Sequence, residues 1–446
     1  MLEINFKQKK TAVIFENKKK SYFELKQNIL QVSLILKKKE LKKKDVIFVN
    51  LDNSYFYILI YFACFINNFI IVPINKNVQK KEIKKLKKII KPKLIISKEF
   101  DYEKINIRKN KKINFNIHRI NSVFFSSGTT GEPKGIMHNY KSLINSAKNF
   151  QYLKKIKNMK FLSFLPMSYM AGFLNSIIYP LISNGTIIIK KKFDYDLIKN
   201  FFLIINQYKI NALWATPTNI ILLNKIHKKN KNKYLKEIFV GMAKLNQKDK
   251  LTFKRKFNIK CLESYGTSEA LFISVKKNYN ENSSSGNLVK NVNIKINDSE
   301  IIVCSNSIMA GYYLNEKSLS ISKNNKFFNT GDLGYIKNGQ VYITGRKKDL
   351  IIKGGENIYP SEIENILLKS KKINNTKVFG IEDEIAGEEI VIAIEPSQKK
   401  DQTLIREYIC SQLKPIHQPK HILFVNSIPV NANGKIDTKK LKKFVK

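Results

Sequence analysis

Short runs of β-branched and aromatic residues recur along the first half of the chain, and stretches with helical periodicity separate them. The runs are DVIFVN, FIIVPI, PKLIIS, KFLSFLP, GTIIIK, ALWATP and EIFVGM. Strands that alternate with helices favour mainly parallel sheets with helices on their faces. The pattern therefore predicts an α/β fold, with a large N-terminal domain of mixed or parallel sheets flanked by helices.

The pattern changes after residue 285, where VNIKIND, SEIIVCS and QVYITG predict a small β-rich subdomain. Beyond GRKKD, helices and strands resume in PSEIENILLKS, NTKVFGI, EIVIAIEP, QTLIREYICSQL and HILFVNSIP. These segments predict a compact α+β domain of roughly 100 residues, a size that folds independently.

The chain carries 81 basic and 35 acidic residues, for a formal charge of +46. Such a charge is compatible with nucleic acid or an anionic membrane as a partner. However, only five of the basic residues are arginine, and the lysines are spread from end to end among many Asn and Ile. Proteins that read base sequence favour Arg and cluster their charge. We therefore interpret the lysines as a solvated surface of biased composition and expect no specific nucleic-acid partner.

The cysteines and the most apolar segment bear on the compartment. Cys64, Cys261, Cys304 and Cys410 are far apart, which indicates neither disulfides nor zinc and fits a reducing cytosol. Residues 55–72 are nearly long enough to span a bilayer, but two Asn residues interrupt them, so we predict a buried helix followed by a strand rather than a membrane span. The N-terminus MLEINFKQKK lacks the apolar region of a signal peptide, and we expect a cytoplasmic protein.

The stretch SSGTTGEPKG, residues 126–135, has the composition of an anion-binding loop. Its glycines allow positive φ, which turns successive N–H groups toward one point. It is not a P-loop, because Pro133 stands where that motif needs its Gly-Lys-Ser/Thr ending. The alternative is a flexible surface turn, which does not explain the paired threonines and the lysine. The expected phosphate-binding residues are Ser126, Ser127, Gly128, Thr129, Thr130, Gly131, Lys134 and Gly135.

Four further motifs follow in order: ESYGTSEA (263–270), NTGDLGYI (329–336), GRKKDLIIKGGENIYPSEIE (345–364) and NANGKIDTKKL (431–441). Together with FFSSGTTGEPKG they resemble the adenylate-forming, AMP-binding superfamily, which includes the acyl-CoA synthetases. The resemblance runs from about residue 10 to the C-terminus. It implies an enzyme that joins a carboxylic acid to ATP, releases pyrophosphate and passes the acyl group to a thiol.

The resemblance also implies roles for individual residues. The loop, with Thr130 and Lys134 as catalytic members, would hold the β and γ phosphates where charge develops. Glu269 would hold Mg²⁺, a hard cation that prefers oxygen ligands. Tyr265 would lie against the adenine, and Ser268 replaces the usual Thr of this motif. The remaining nucleotide-binding residues of the motif are Gly266 and Thr267.

Three residues nearer the C-terminus complete the expected nucleotide site. Asp332 would accept hydrogen bonds from the ribose hydroxyls, although an Asp that caps a turn is a plain alternative. Arg346 would contact ribose or phosphate, because a chain that uses Lys for most cations gains a planar, bidentate fork from Arg here. Lys435 would bridge the carboxylate and the α-phosphate.

By the same resemblance, GRKKD is the hinge between two domains, with Lys348 at the position that changes its backbone torsions. This implies an N-terminal domain over 1–345, a hinge over 346–348 and a mobile C-terminal domain over 349–446. Rotation would bring Lys435 in for adenylation and KGGEN in for thiol transfer. Gly354 and Gly355 would then let a pantetheine arm pass close to the backbone.

The substrate is less constrained. Because LPMSYMAGF has no Asp for an amino group, an amino acid is disfavoured, and the short chain favours a small, aromatic or medium acid, as in the succinylbenzoate-CoA and benzoate-CoA ligases. GGENIYPSEIE resembles the acyl-CoA synthetase form of this segment more than the peptide-synthetase form, and this resemblance implies coenzyme A as the acceptor. The alternatives are the phosphopantetheine of an acidic carrier protein, or a basic binding protein whose enzymatic motifs have decayed. The expected acid pocket comprises Tyr169, where many relatives have His, with Met170, Phe173, Gly241, Met242 and Ala243; each of these is alternatively ordinary core.

Overall fold

The computed structural model describes residues 4–107, 113, 115–116, 118–126, 134–156, 158–229, 232–313, 319–321, 327–430 and 436–445. The chain forms two compact units. The first comprises Met1–Asn293 and Val303–Phe328, and the second comprises Ile294–Ile302 and Asn329–Lys446. All four cysteines are free thiols.

The strands are β1 (Thr11–Phe15), β2 (Lys18–Ser21), β3 (Val46–Val49), β4 (Ile70–Pro73), β5 (Leu94–Ile96), β6 (Ile120–Ser126), β7 (Lys134–Asn139), β8 (Lys160–Ser163), β9 (Thr186–Ile189), β10 (Ala212–Ala215), β11 (Glu237–Val240), β12 (Lys260–Thr267), β13 (Leu271–Val275), β14 (Asn287–Leu288), β15 (Val292–Asn297), β16 (Glu300–Ser305), β17 (Gly311–Tyr313), β18 (Leu319–Ile321), β19 (Phe328–Lys337), β20 (Gln340–Arg346), β21 (Ile351–Lys353), β22 (Glu356–Ile358), β23 (Ile373–Asp383), β24 (Gly387–Pro396) and β25 (His421–Phe424). The α-helices are α1 (Tyr22–Lys37), α2 (Tyr55–Asn67), α3 (Lys80–Ile90), α4 (Tyr140–Leu153), α5 (Tyr179–Ile182), α6 (Tyr195–Lys199), α7 (Phe201–Tyr208), α8 (Pro217–Ile226), α9 (Gln247–Phe257), α10 (Pro360–Leu367), α11 (Gln402–Gln412) and α12 (Thr438–Lys442). A π-helix spans Ala171–Ile178.

The strands of the first unit lie in two series. One has the order β14-β13-β12-β11-β10-β8-β9-β1-β2, and the other has the order β18-β17-β7-β6-β4-β3-β5. Neighbours from β9 through β8, β10 and β11 to β12 pair in parallel. Each predicted apolar run forms one of these strands, and most of their residues are buried. The predicted α/β fold with helix-flanked, mainly parallel sheets is confirmed.

The apolar segment 55–72 forms helix α2 and strand β4, as predicted. Ser54 caps the helix by accepting from the Tyr57 N–H, and Asn68 ends it in a left-handed conformation at φ +59°. Helix α2 is buried along almost its whole length. Among the described residues, no helix combines the length and the apolar composition needed to cross a membrane.

In the second unit, one group of strands has the order β15-β16-β19-β20. The other has the order β22-β21-β24-β23, with β25 parallel to β24. Aliphatic residues of α10 and α11 pack with those of β23 and β24 in one core cluster. The predicted C-terminal elements are therefore all present, and the exact domain boundary at residue 346 stays a prediction.

A buried charge cluster closes the base of the β12–β13 hairpin. Glu263 Oε1 lies 2.8 Å from Lys250 Nζ, and its Oε2 lies 3.1 Å from Lys276 Nζ, while both lysine side chains are fully buried. Lys276 also donates to the Asn282 carbonyl at 2.7 Å, and Lys250 to the Asn280 carbonyl at 2.7 Å. Burial, opposed by Glu263 and reinforced by Lys250, lowers the pKa of Lys276 to about 8. Two buried cations thus share one carboxylate.

This excess charge gives a prediction for Lys276→Met. The charged form of Lys276 is less favourable in the folded state, so its cost to stability is present below pH 8 and is relieved as the pH rises toward the ordinary value of 10.5. Across that window we expect the free energy of unfolding of the wild type to rise relative to the variant, by on the order of 2 kcal/mol. Urea unfolding of both proteins at several pH values measures this. A difference that does not change with pH would contradict the prediction.

Candidate active site

The expected acid and adenine segments lie at one edge of a sheet. Strands β8, β10, β11 and β12 are parallel neighbours, so their carboxyl ends meet at the same edge. Tyr169 and Met170 follow β8, Gly241–Ala243 follow β11, and Tyr265 lies near the end of β12. In open α/β sheets, ligands bind at this edge. The topology therefore brings together segments that are almost 100 residues apart in sequence.

The segment after β8 turns sharply into the π-helix. A side chain at Gly172 would overlap the Pro166 carbonyl, so this turn requires glycine. Tyr169 is partly buried, and burial together with Glu82 of α3 raises its pKa to about 12. Met170 is buried, and Phe173 stacks on Tyr61 with ring centroids 3.7 Å apart. Phe173 thus lies in the aromatic core, and its role in the acid pocket stays a prediction, as do those of Tyr169 and Met170.

The segment after β11 has an unusual backbone. Gly241 is buried, and a Cβ there would lie 3.4 Å from both the Ser264 carbonyl oxygen and the Trp214 ring. Met242 has φ +69°, a left-handed conformation that is rare outside glycine and costs energy. Ala243 is exposed. In the sequence GMAKL, Met242 therefore adopts a backbone conformation that glycine favours, although it has a large, flexible side chain.

Glu269 lies in a tight connection between β12 and β13, where Thr267 pairs with Leu271. The Ala270 N–H donates to Thr267 Oγ1 at 2.9 Å, and the Met309 N–H donates to the Glu269 carbonyl at 2.7 Å. Leu271 is left-handed at φ +60°. We call residues 268–270 the Glu269 turn. Its backbone is fixed both by its own hairpin and by the segment that leads into β17.

Tyr312, which the sequence motifs did not identify, completes this region. Its hydroxyl donates to Glu269 Oε1 at 3.4 Å, and Lys134 Nζ lies 5.7 Å from the centre of its ring. Strand β17 pairs with β7, which places Tyr312 opposite Ile136. Burial and the Glu269 carboxylate raise the pKa of Tyr312 to about 12, so its hydroxyl remains a donor at neutral pH. Tyr312 lies 43 residues from Glu269, and the pairing of β17 with β7 together with the Met309 bond to Glu269 brings the two close.

The phosphate-binding loop lies mostly outside the described residues. The predicted loop residues that lie outside the described part of the chain are Ser127, Gly128, Thr129, Thr130 and Gly131. Strands β6 and β7 flank the loop and pair antiparallel, with Ser126 opposite Lys134, so the loop connects a β-hairpin. Gly135 lies in extended strand β7 rather than in a left-handed turn, which corrects the expectation from the sequence. A Cβ at Gly135 would lie 2.9 Å from Phe125 Cζ and Val123 Cγ1, so glycine serves close packing here.

In the second unit, Asp332 and Arg346 pair with each other. They are opposite one another in β19 and β20, and Arg346 Nε lies 2.5 Å from Asp332 Oδ1. Asp332 is buried, while the Arg346 side chain is 44% exposed. Asp332 lies within β19, immediately after Gly331 at φ +69°, which does not match the alternative of an Asp that caps a turn. Their contacts to ribose or phosphate stay predictions.

The predicted hinge and thiol segments also lie in the second unit. Lys348 lies exposed in a short 3₁₀ turn, Lys347–Asp349, where partial desolvation lowers its pKa. Gly354 and Gly355 have φ +58° and +81° and form the two-residue turn between β21 and β22. Such a turn needs positive φ at both positions, and no atom lies within 4 Å of a Cβ built at either. Lys435 lies outside the described residues.

Comparison with known proteins identifies the family of the chain. Residues 4–313 match the family model for the AMP-binding enzyme, and residues 362–435 match that for the AMP-binding enzyme C-terminal domain. The 2-succinylbenzoate–CoA ligase of Listeria monocytogenes serotype 4b is 26% identical over 97% of this chain and 96% of that protein. The 2-succinylbenzoate–CoA ligase of Staphylococcus epidermidis strain RP62A is 30% identical over 74% of this chain and 70% of its own.

Solved structures show the same fold. The ATP-bound MatB of Rhodopseudomonas palustris has a TM-score of 0.88 at 21% identity, covering 98% of this chain and 96% of that one. The O-succinylbenzoate coenzyme A synthetase MenE of Bacillus subtilis, in complex with ATP and magnesium, has a TM-score of 0.83 at 22% identity, covering 97% and 96%.

The α/β fold and the two matched family models together define an AMP-binding enzyme. The chain belongs to the AMP-binding enzyme family, which confirms the predicted superfamily. The predicted class of enzyme, an AMP-forming acid–thiol ligase, is confirmed as well.

Arg346→Lys tests the nucleotide role of the Asp332–Arg346 pair. Lysine keeps the charge but cannot present the Nε–H that meets Asp332, so Asp332 and the half-exposed cation lose their fixed orientation. We expect the dissociation constant for ATP, measured by isothermal titration calorimetry, to rise about tenfold. Arg406→Lys is the matched control, because Arg406 lies over the Phe424 ring in the same unit. Equal ATP affinity in both variants and the wild type would refute the role.

Proposed function

We propose that this protein uses ATP to convert a carboxylic acid into an acyl-adenylate and then transfers the acyl group to the thiol of coenzyme A. The observation that carries the proposal is the AMP-binding family match over residues 4–313, in which the adenine motif and the Glu269 turn lie at the sheet edge that also holds the acid segments. The relatives named as CoA ligases support the acceptor.

In the first half-reaction, a carboxylate oxygen attacks the α-phosphorus of ATP and pyrophosphate leaves. The loop 126–135 would hold the departing phosphates with its hydroxyls, its backbone N–H groups and Lys134. Tyr265, with Gly266, Thr267 and Ser268, would bound the adenine. Asp332 would hold the ribose, oriented by Arg346. Lys435 would bridge the carboxylate and the α-phosphate, where both carry negative charge.

The residues present fit Mg²⁺. Glu269 is only partly buried, and the Tyr312 hydroxyl holds one of its oxygens. The described residues contain no cluster of three or more His, Cys, Asp or Glu that could form a complete metal cage. Mg²⁺ commonly takes one or two carboxylates and completes its coordination with phosphates and water. When bound, the ion would offset phosphate charge; the protein's own part is to keep the Glu269 carboxylate fixed.

In the second half-reaction, the thiol attacks the acyl carbonyl, loses its proton, and AMP leaves with one oxygen of the original carboxylate. The open face above Gly354 and Gly355 fits the passage of a narrow pantetheine arm. Lys348 would be the hinge residue whose backbone torsions change when the C-terminal domain rotates between the two half-reactions. A carrier-protein phosphopantetheine presents the same thiol, and it is the alternative acceptor.

For the acid, we propose a small or medium carboxylate with an aromatic or apolar body. The support is the likeness to 2-succinylbenzoate–CoA ligases over nearly the whole chain, together with the apolar character of Tyr169, Met170 and Met242. VraA of Staphylococcus haemolyticus, provisionally named a long chain fatty acid-CoA ligase, is 32% identical over 70% of this chain and 68% of its own, so fatty acids belong in the test.

The direct test is pyrophosphate release across a panel of acids. The panel contains 2-succinylbenzoate, benzoate, malonate and fatty acids of increasing length, each assayed with coenzyme A and with a phosphopantetheinylated carrier protein. We expect release with at least one acid, and a coenzyme A thioester detected by mass spectrometry. If the acyl group is transferred to the carrier protein and not to coenzyme A, the carrier protein is the acceptor. No release with any acid would refute the proposed reaction for this panel.

Tyr169 gives a second prediction. With its pKa raised to about 12, its phenol is a poor general base at neutral pH, and an ionised acid needs none. Tyr169→Phe should therefore keep the maximal rate within about threefold. Tyr169→Ala should raise KM for the best acid by a factor that corresponds to about 1 to 3 kcal/mol of lost binding free energy, and it should admit bulkier acids. Steady-state kinetics over the acid panel measure both. Loss of kcat with every acid in the Phe variant would show that the hydroxyl takes part in chemistry.

A further inference from the structure

His138, near the end of β7, is fully buried and binds two separate segments. Its Nε2 lies 2.8 Å from the Ser268 carbonyl oxygen, and its Nδ1 lies 3.1 Å from Ser142 Oγ at the start of α4. Ser142 is itself fixed, because its N–H donates to Asn139 Oδ1 at 2.8 Å. The imidazole therefore connects the strand that follows the phosphate-binding loop to the first residue of the Glu269 turn.

The surroundings select one tautomer. A carbonyl oxygen can only accept, so Nε2 must carry a proton to donate to Ser268. Burial lowers the pKa of His138 to about 4, against a smaller opposing effect of the bond to Ser268, so the ring is neutral at physiological pH. Nδ1 is then an acceptor, and the single hydrogen of the Ser142 hydroxyl is shared between Nδ1 at 3.1 Å and the Asn139 carbonyl oxygen at 2.9 Å. His138 is thus a donor held in one orientation toward the turn.

The Glu269 turn depends on few bonds. Its described backbone and side-chain partners come from four places: Thr267 of its own strand, Met309 before β17, Tyr312 of β17, and His138 of β7. Leu271, the residue that follows the turn, is left-handed at φ +60°, a conformation that costs energy in a residue other than glycine. Removing the His138 donor takes away a hydrogen bond from the partly buried Ser268 carbonyl, which costs free energy. Loss of the His138 bond would therefore let the turn relax.

We propose that His138 is a positioning residue that orients the Glu269 turn relative to the strand following the phosphate-binding loop. Its Nε2–H fixes the Ser268 carbonyl, and through the next peptide it fixes the direction of the Glu269 carboxylate. The inference rests on the proposed function for the role of Glu269 toward magnesium nucleotide. It adds a specific residue, and a specific bond, that no nucleotide motif contains.

The test compares nucleotide affinity with and without magnesium. Isothermal titration calorimetry with the full-length protein gives the ATP dissociation constant in each condition, and their ratio is the gain due to magnesium. His138→Leu should lower that gain about tenfold, equivalent to about 1.4 kcal/mol, while magnesium-free affinity stays within about twofold. A residue that only supported the fold would lower both affinities together.

The chain offers a matched control. His227 Nε2 lies 2.6 Å from the Ile198 carbonyl, a similar histidine-to-backbone bond against α6. His227→Leu should reduce the urea midpoint and leave the magnesium gain as in the wild type. His138→Gln and His138→Asn form a second pair, because both keep an amide donor but only Gln approaches the reach of Nε2. The Gln variant should retain most of the magnesium gain, and the Asn variant should lose it. This pair tests the role of His138 if the Leu variant does not fold.

The outcomes separate this inference from the proposed function. A wild-type magnesium gain that persists unchanged in the Leu and Asn variants would overturn the role of His138 and leave the proposed reaction intact. A wild type with no magnesium gain would overturn both the proposed role of Glu269 and this inference. A reduced gain in Leu and Asn, with recovery in Gln, would establish the bond as a positioning contact.

Discussion

The hydrogen bonds that hold the Glu269 turn connect the two sheet series of the first unit at the candidate site. Two adjacent carbonyls of the turn, those of Ser268 and Glu269, accept from donors on β7 and on the segment before β17. Backbone carbonyls removed from water need such partners. The turn can therefore take this form only when two sheet series, built from distant parts of the sequence, are both in place. The Glu269 carboxylate is therefore placed correctly only when both sheet series have folded.

Sequence patterns predicted the fold well because local rules decide most of it. Runs such as GTIIIK and ALWATP form buried strands, since β-branched residues favour strands and parallel sheets are covered on both faces. The segment 55–72 divides where Asn68 takes a left-handed conformation, a role that Asn fills readily. Neither inference required knowledge of distant contacts.

The candidate site was less predictable because its supporting contacts are long-range. His138 and Tyr312 lie 130 and 43 residues from their partners, and no spacing rule connects them. Local expectations also failed in part. Gly135 avoids a packing clash in a strand instead of forming a turn, and Asp332 lies in β19 beside its Arg346 partner. A glycine or an aspartate has several physical uses, and only tertiary structure selects among them.

The charge of the chain divides into two kinds of lysine. Most lie on the surface, as the composition indicated, but Lys250, Lys276 and Lys154 are buried and bind carboxylates and backbone carbonyls. These few contribute to structure, because each has several acceptors within hydrogen-bond distance. High lysine content thus does not by itself identify a binding surface.

In the proposed reaction, the carboxylate of the substrate becomes bonded to the α-phosphorus of ATP. Turnover of an acid whose carboxylate oxygens carry a heavy isotope, followed by mass spectrometry of the nucleotide and phosphate products, tests this most directly. Attack at the α-phosphorus predicts one labelled oxygen in AMP and none in pyrophosphate. Label in inorganic phosphate with formation of ADP would instead show attack at the γ-phosphorus, and it would contradict the account.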